Sequence, residues 1–220
     1  MTKARVQETD SGIQGEFNVQ IYDQMMSRLR DRGWIETDAI LASGINHGLA
    51  LEIGPGPGYL GLEWLSKTEA TQLKGLDISP DMVQVAEANA TEYGFLNTRV
   101  SYTVSNARSL PFEAESFDAV FSNGSLHEWE SPVLIFNEIM RVLKLGGRYF
   151  VSDMRRDMPF IMRWFLLLLA KPKEIRPGLT TSINAAYTQK EIEEILKKTD
   201  MRDFKVKQGM IGFEITGSNK

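Results

Sequence analysis

The chain has 220 residues, 42% of them hydrophobic, enough for one well-formed core, and no linker rich in Pro, Gly or Ser divides it. It contains no cysteine, which excludes disulfides, thiolate metal sites and cysteine nucleophiles and fits a reducing, cytoplasmic setting. A net charge of −4 leaves no basic footprint for a long polyanion, so nucleic acid is not an expected partner.

The polar start, "MTKARVQETDSGIQGEF", lacks the apolar stretch of a secretory signal. From Asn18 to about Arg30, Val19, Tyr22, Met25, Met26 and Leu29 recur at helical spacing, and a second helical stretch runs from Glu36 to Leu41. "GLALEI" then reads as a short buried strand ending in the glycine loop "GPGPG" of residues 54–58. Beyond it the chain alternates. "YLGLEWLSKT" reads as a helix and "QLKGLDI" as a strand. "SPDMVQVAEANATEYG" reads as a helix with Ser79 as N-cap, Pro80 in its first turn and Gly94 as its stop.

"RVSYTVS" and "SFDAVFSN" follow as strands, "SPVLIFNEIMRVLKLGG" as a helix capped at both ends, and "RYFVSD" as a fifth strand. The segment after it contains "PFIMRWFLLLLA", residues 159–170, which Arg163 interrupts and which is shorter than the roughly 20 residues needed to span a bilayer. It reads as a packed helix, a lid over an apolar acceptor, or a patch for a partner or membrane surface, followed by a loop with Pro172 and Pro177. "TQKEIEEILKKTD" is a helix with Thr188 and Glu191 as a capping box, and "DFKVKQGMIGFEITG" gives two strands.

This alternation predicts an α/β fold: a Rossmann-like, seven-stranded, mostly parallel sheet with an antiparallel strand from a C-terminal hairpin and helices on both faces. Residues 1–220 form one domain, with a helical cap over 1–45, a cofactor-binding core over 47–153, a cover over 154–187 and the last helix and strands over 188–220. In such a sheet ligands bind beyond the carboxyl ends of the strands, where "GPGPG" stands.

Gly54, Gly56 and Gly58 spell G-x-G-x-G, with Tyr59 in the place of the third dinucleotide-fingerprint glycine. Pro55 and Pro57 remove two N–H donors, so the loop is a poor seat for a pyrophosphate. Asp77, about twenty residues on, is placed to accept from ribose hydroxyls. Glu52, inside the first strand, is a costly buried carboxylate that a cationic ligand group would explain. A nucleoside with ammonium and sulfonium charges fits better than a dinucleotide.

These residues resemble the class I S-adenosylmethionine-dependent methyltransferases over about residues 47–153. "LEIGPGPGYLGLEW", "GLDISPDMVQVAEANA", "NARSLPFEAESFDAVFSNGSLHEW" and "VLIFNEIMRVLKLGGRYFVSD" appear in the family's order. "LPF…SFDAV…LHEW" is most similar to the small-molecule branch that includes the ubiquinone and menaquinone C-methyltransferases. The resemblance implies S-adenosylmethionine as cofactor and S-adenosylhomocysteine as product. It implies that Glu52, Gly54 and Gly56 meet the methionine part, Asp77 the ribose and Ile78 the adenine. Asn106 stands where the family usually has Asp for the adenine amine, Ala107 would offer its N–H to the ring, and Asn123 its carbonyl to the ammonium. Tyr22, on the N-terminal helix, closes the other side.

Methyl transfer from a sulfonium needs an aligned nucleophile, about 3 Å away, and exclusion of water. His127 and Asp153 are the candidate bases, against packing beside Trp129 for the first and substrate binding or helix capping for the second. His47 lies on the wrong side of the sheet and reads as structural. No clustered metal ligands are seen, so no metal is expected. "SNGS" after the fourth strand is not the signature of amino-group methyltransferases acting on bases. The expected partner is a small, apolar or aromatic methyl acceptor, with the chain a monomer or homodimer. The competing readings are a non-catalytic S-adenosylmethionine-binding partner protein and a nicotinamide-dependent oxidoreductase.

Overall fold

A computed structural model describes residues 4–7 and 12–220. Two helices, α1 (Glu16–Asp31) and α2 (Thr37–Ala42), precede β1 (Leu49–Ile53), α3 (Tyr59–Ser66), β2 (Gln72–Asp77), α4 (Pro80–Glu92) and β3 (Val100–Val104). Then come β4 (Phe117–Asn123), a 3₁₀ turn (Leu126–Glu128), α5 (Pro132–Val142), β5 (Leu143–Met154), α6 (Phe160–Leu169) and a second 3₁₀ turn (Lys173–Ile175). The chain ends with α7 (Arg176–Ala185), α8 (Gln189–Leu196), β6 (Lys205–Gln208) and β7 (Gly212–Ser218).

Seven strands form one sheet in the order β3-β2-β1-β4-β5-β7-β6. β1 to β5 pair in parallel, and β7 runs antiparallel to both β5 and β6. The expected architecture is therefore present, with the last strand inserted between β5 and β6. Leu62, Trp64 and Leu65 of α3, Val83 and Ala86 of α4 and Ile40 of α2 pack on one face. Ile135, Phe136 and Ile139 of α5 with Ile192 and Leu196 of α8 pack on the other. Both faces are apolar, which is why the central strands read as continuous hydrophobic runs.

Local chemistry sets most boundaries. The Ser79 hydroxyl accepts from Met82 N–H at 3.2 Å and caps α4, which starts at Pro80. Thr188 and Glu191 close the expected capping box of α8. α5 departs from the expected span: it ends at Val142, and "LKLGG" enters β5 instead. Leu143 pairs with Phe117 of β4, and Lys144 reaches Asp118 Oδ1 at 2.8 Å, so strand pairing overrides helical periodicity there. Its Ser131 makes no side-chain cap, and Pro132 occupies the first turn. The expected loop around Pro177 is instead α7, with that proline in its first turn.

Candidate active site

A cleft opens at the carboxyl ends of β1, β2 and β4, where the connections from β1 and β4 leave in opposite directions. Tyr22, Gly54, Gly56, Asp77, Ile78, Asn106 and Ala107 all line it. Glu52, Gly58, Asn123, His127 and Asp153 are not among its lining residues.

The glycine loop owes its form to left-handed backbone at Gly54 (φ 68°), Gly56 (φ 53°) and Gly58 (φ 85°). A Cβ on Gly54 would lie 2.7 Å from Ser125 Cβ, and one on Gly58 would lie 2.7 Å from the Tyr102 hydroxyl. Gly58 thus serves the packing of α3 against β3. Each glycine N–H in the loop already donates inside the protein: Gly54 to Leu76 O at 2.9 Å, Gly56 to Asp77 Oδ2 at 3.0 Å and Gly58 to Pro55 O at 3.0 Å. With the two prolines lacking a donor, no loop N–H is left for a phosphate.

Asp77 is buried, and its Oδ1 accepts from Ser79 N–H at 2.9 Å. Burial raises its carboxyl above the usual range, and backbone donors from Ser79, Gly56 and Ile78 pull it back. Each oxygen keeps a lone pair for a further donor. The ring of Tyr22 approaches Gly56, with Cε1 3.3 Å from the position a Cβ would take. Its phenol is pushed up by burial first, then by the charges of Glu128, Asp77 and Asp153, so it remains a neutral donor among acids. Glu128 and Glu130 also line the cleft, the latter paired with Arg108.

Glu52 lies under α3. Its Oε2 is buried without a hydrogen-bond partner, and burial followed by the Asp77 charge pushes its carboxyl up to about 8. Asn106 Oδ1 accepts from Arg108 N–H at 2.9 Å and Nε at 3.3 Å, so the adenine amine of the expected role would compete with Arg108. Asn123 donates from Nδ2 to Ser152 Oγ at 2.8 Å and ties β4 to β5.

His127 and Asp153, separate candidates in the sequence, are in contact. The Asp153 carboxylate accepts the His127 peptide N–H at 2.7 Å and faces Nδ1 at 2.9 Å. A carboxylate on Nδ1 favours the proton there, and Nε2 lies 3.9 Å from Glu128 Oε1. Arg5 holds this turn from outside, donating from Nη2 to the His127 carbonyl at 2.8 Å with its guanidinium over the Tyr187 ring.

Sequence reasoning missed Gly12 and Ile13, which line the cleft beside Ile78. Ser79 Oγ donates to the Ile13 carbonyl at 2.6 Å, and a Cβ on Gly12 would lie 2.8 Å from Ile78. The glycines of "SGIQG" were the available signal. Ser125, Glu128 and Trp129 were missed as well, although "SLHEW" follows directly on the fourth strand.

Residues 51–151 match a family model described as a methyltransferase domain. The ubiquinone biosynthesis O-methyltransferase of Candida albicans is 27% identical over 154 residues, covering 69% of this chain and 46% of that protein. The demethylmenaquinone methyltransferase of Roseiflexus castenholzii is 27% identical over 146 residues, covering 65% of this chain and 59% of that protein. The chain thus spans less than two thirds of the length of these relatives. Among solved structures, a SAM-dependent methyltransferase from Aquifex aeolicus shares the fold, with a TM-score of 0.70 at 20% identity, covering 94% of this chain and all of that one. Over residues 51–151 the chain is thus similar to a methyltransferase domain, and its fold is shared with a SAM-dependent methyltransferase.

Proposed function

We propose that the chain moves the methyl group of S-adenosylmethionine to a small, apolar or aromatic metabolite by in-line displacement. The observation that carries this reading is the glycine loop without a free N–H beside an acid-lined cleft. Such a site suits a cationic nucleoside and disfavours the pyrophosphate of a nicotinamide dinucleotide.

The orphaned, buried Oε2 of Glu52 and the close approach allowed at Gly54 and Gly56 are consistent with the cofactor. When bound, S-adenosylmethionine supplies a methyl already activated on a sulfonium. Asp77 accepts from the ribose hydroxyls, Ile78 packs on the base, and Asp77 and Glu128 offset positive charge. Tyr22 and the Gly12–Ile13 segment exclude water. His127, held by Asp153 in the tautomer with Nδ1–H, takes the acceptor's proton at Nε2 where the acceptor must lose one.

Calorimetric titration with S-adenosylhomocysteine and with NADH tests the reading on wild type and Asp77→Ala. Saturable binding of the first ligand only, weakened at least about tenfold by the substitution, is expected. Binding of NADH, or no binding of S-adenosylhomocysteine by folded protein, overturns it.

A further inference from the structure

α6 inverts the usual pattern of a surface helix. Phe160, Ile161, Trp164, Phe165 and Leu168 are between 45% and 80% exposed. At 100° per residue these positions fall within an arc of about 140°. Polar residues are absent from this outward arc. The only charged residue of the helix, Arg163, sits on the inner side and donates to Asn184 Oδ1 of α7 at 3.0 Å. Apolar surface gathered on one side of a helix marks an interaction site.

We propose that α6 lies on the surface of an anionic bilayer, with its outward arc in the boundary between headgroups and acyl chains. Charge supports this occupant. Residues 160–176 carry Arg163, Lys171, Lys173 and Arg176 against Glu174, a net +3 on a chain whose total is −4. Phe, Trp and Leu on one arc with lysines at its end is the composition of helices that rest in the interface. The helix has 10 residues, too short to cross, and among the described residues no helix is long and apolar enough to do so.

Other occupants fit less well. A second copy, packed by a two-fold axis, would set one +3 segment against another. A lid would face the cleft, yet none of residues 154–187 lines it.

The location deepens the proposed function, on which this step rests. α6 packs on α7, and α7 packs on the 3₁₀ turn that carries His127. A bilayer under α6 therefore places the acceptor end of the site within two elements of lipid, and the acceptor class is a lipid-soluble small molecule.

Flotation with vesicles of phosphatidylcholine, with and without phosphatidylglycerol, tests the docking. Wild type is expected to float with the anionic vesicles, with Trp fluorescence quenched by brominated acyl chains. Phe165→Glu and the pair Lys171→Glu/Lys173→Glu are each expected to lower vesicle binding about tenfold or more. These side chains are exposed, so folding is not at stake. Absence of flotation, binding that ignores both variants, or a dimer in solution that Phe165→Glu dissociates would each sink the proposal. Titration of the same proteins with S-adenosylhomocysteine separates the two claims. Nucleoside binding without flotation overturns the docking alone, and flotation without nucleoside binding overturns the methyltransferase reading.

Discussion

Gly56 donates its peptide N–H to Asp77 Oδ2 at 3.0 Å, which ties the loop after β1 to the tip of β2. The other oxygen takes the Ser79 N–H at 2.9 Å. An acidic residue at this point therefore shapes the loop as well as lining the cleft. Asp77→Ala leaves two peptide donors without their acceptor, and unfolding in urea should show a loss of about 1–3 kcal/mol. A variant as stable as wild type would show that water replaces both bonds.

Glu52 gives the molecule a pH dependence opposite to that of a salt-bridged carboxylate. Its folded form holds a proton up to about 8, against an ordinary value of 4.5. Its contribution to stability is intact below about 4.5 and is lost as pH rises towards about 8, because the unfolded chain has by then released the proton. Over that window the loss is on the order of a few kcal/mol. Glu52→Gln removes the titration, so denaturation curves should show the variant gaining on wild type as pH rises. Parallel pH profiles for the two proteins would mean that Glu52 is ionised in the fold.

What the sequence revealed and what it hid divide by range. Ser79 and Thr188 were legible because a cap is made with a residue three positions on. Asp77 was legible because loop and acid are separated by one helix and one strand of ordinary length. The end of α5 was hidden, since Leu143 is claimed by its pairing with Phe117 in β4. His127 and Asp153 were each visible, but their contact depends on the register that sets Asn123 beside Ser152. The hold of Arg5 on the His127 carbonyl spans 122 positions, and no local pattern encodes it.

The His127 tautomer is open to direct measurement. With Asp153 facing Nδ1, the neutral ring should carry its proton there, and ¹⁵N chemical shifts report this. The chain has only two histidines, so the signals are simple to assign. Asp153→Asn should disturb the His127 signals and leave those of His47 unchanged. Finding the proton on Nε2 in wild type would remove the acceptor atom and with it the proposed base.

Two helical glycines should respond to alanine in opposite directions. Helix propensity alone favours alanine over glycine by about 1 kcal/mol at an interior position. Gly178, in the first turn of α7, has nothing within 4 Å of the place a Cβ would occupy, so Gly178→Ala should be neutral or stabilise by up to about that amount. Gly61 lies in α3, and a Cβ there would be 2.3 Å from both Glu52 Oε2 and Leu73 Cδ2. Both neighbours are buried, one a carboxyl and one a core side chain, so neither can give way cheaply. Gly61→Ala should therefore destabilise by about 1–3 kcal/mol in urea denaturation despite the better propensity. If the two substitutions proved equally benign, Glu52 would have room to leave its place under α3, and its raised pKa would have to go with it.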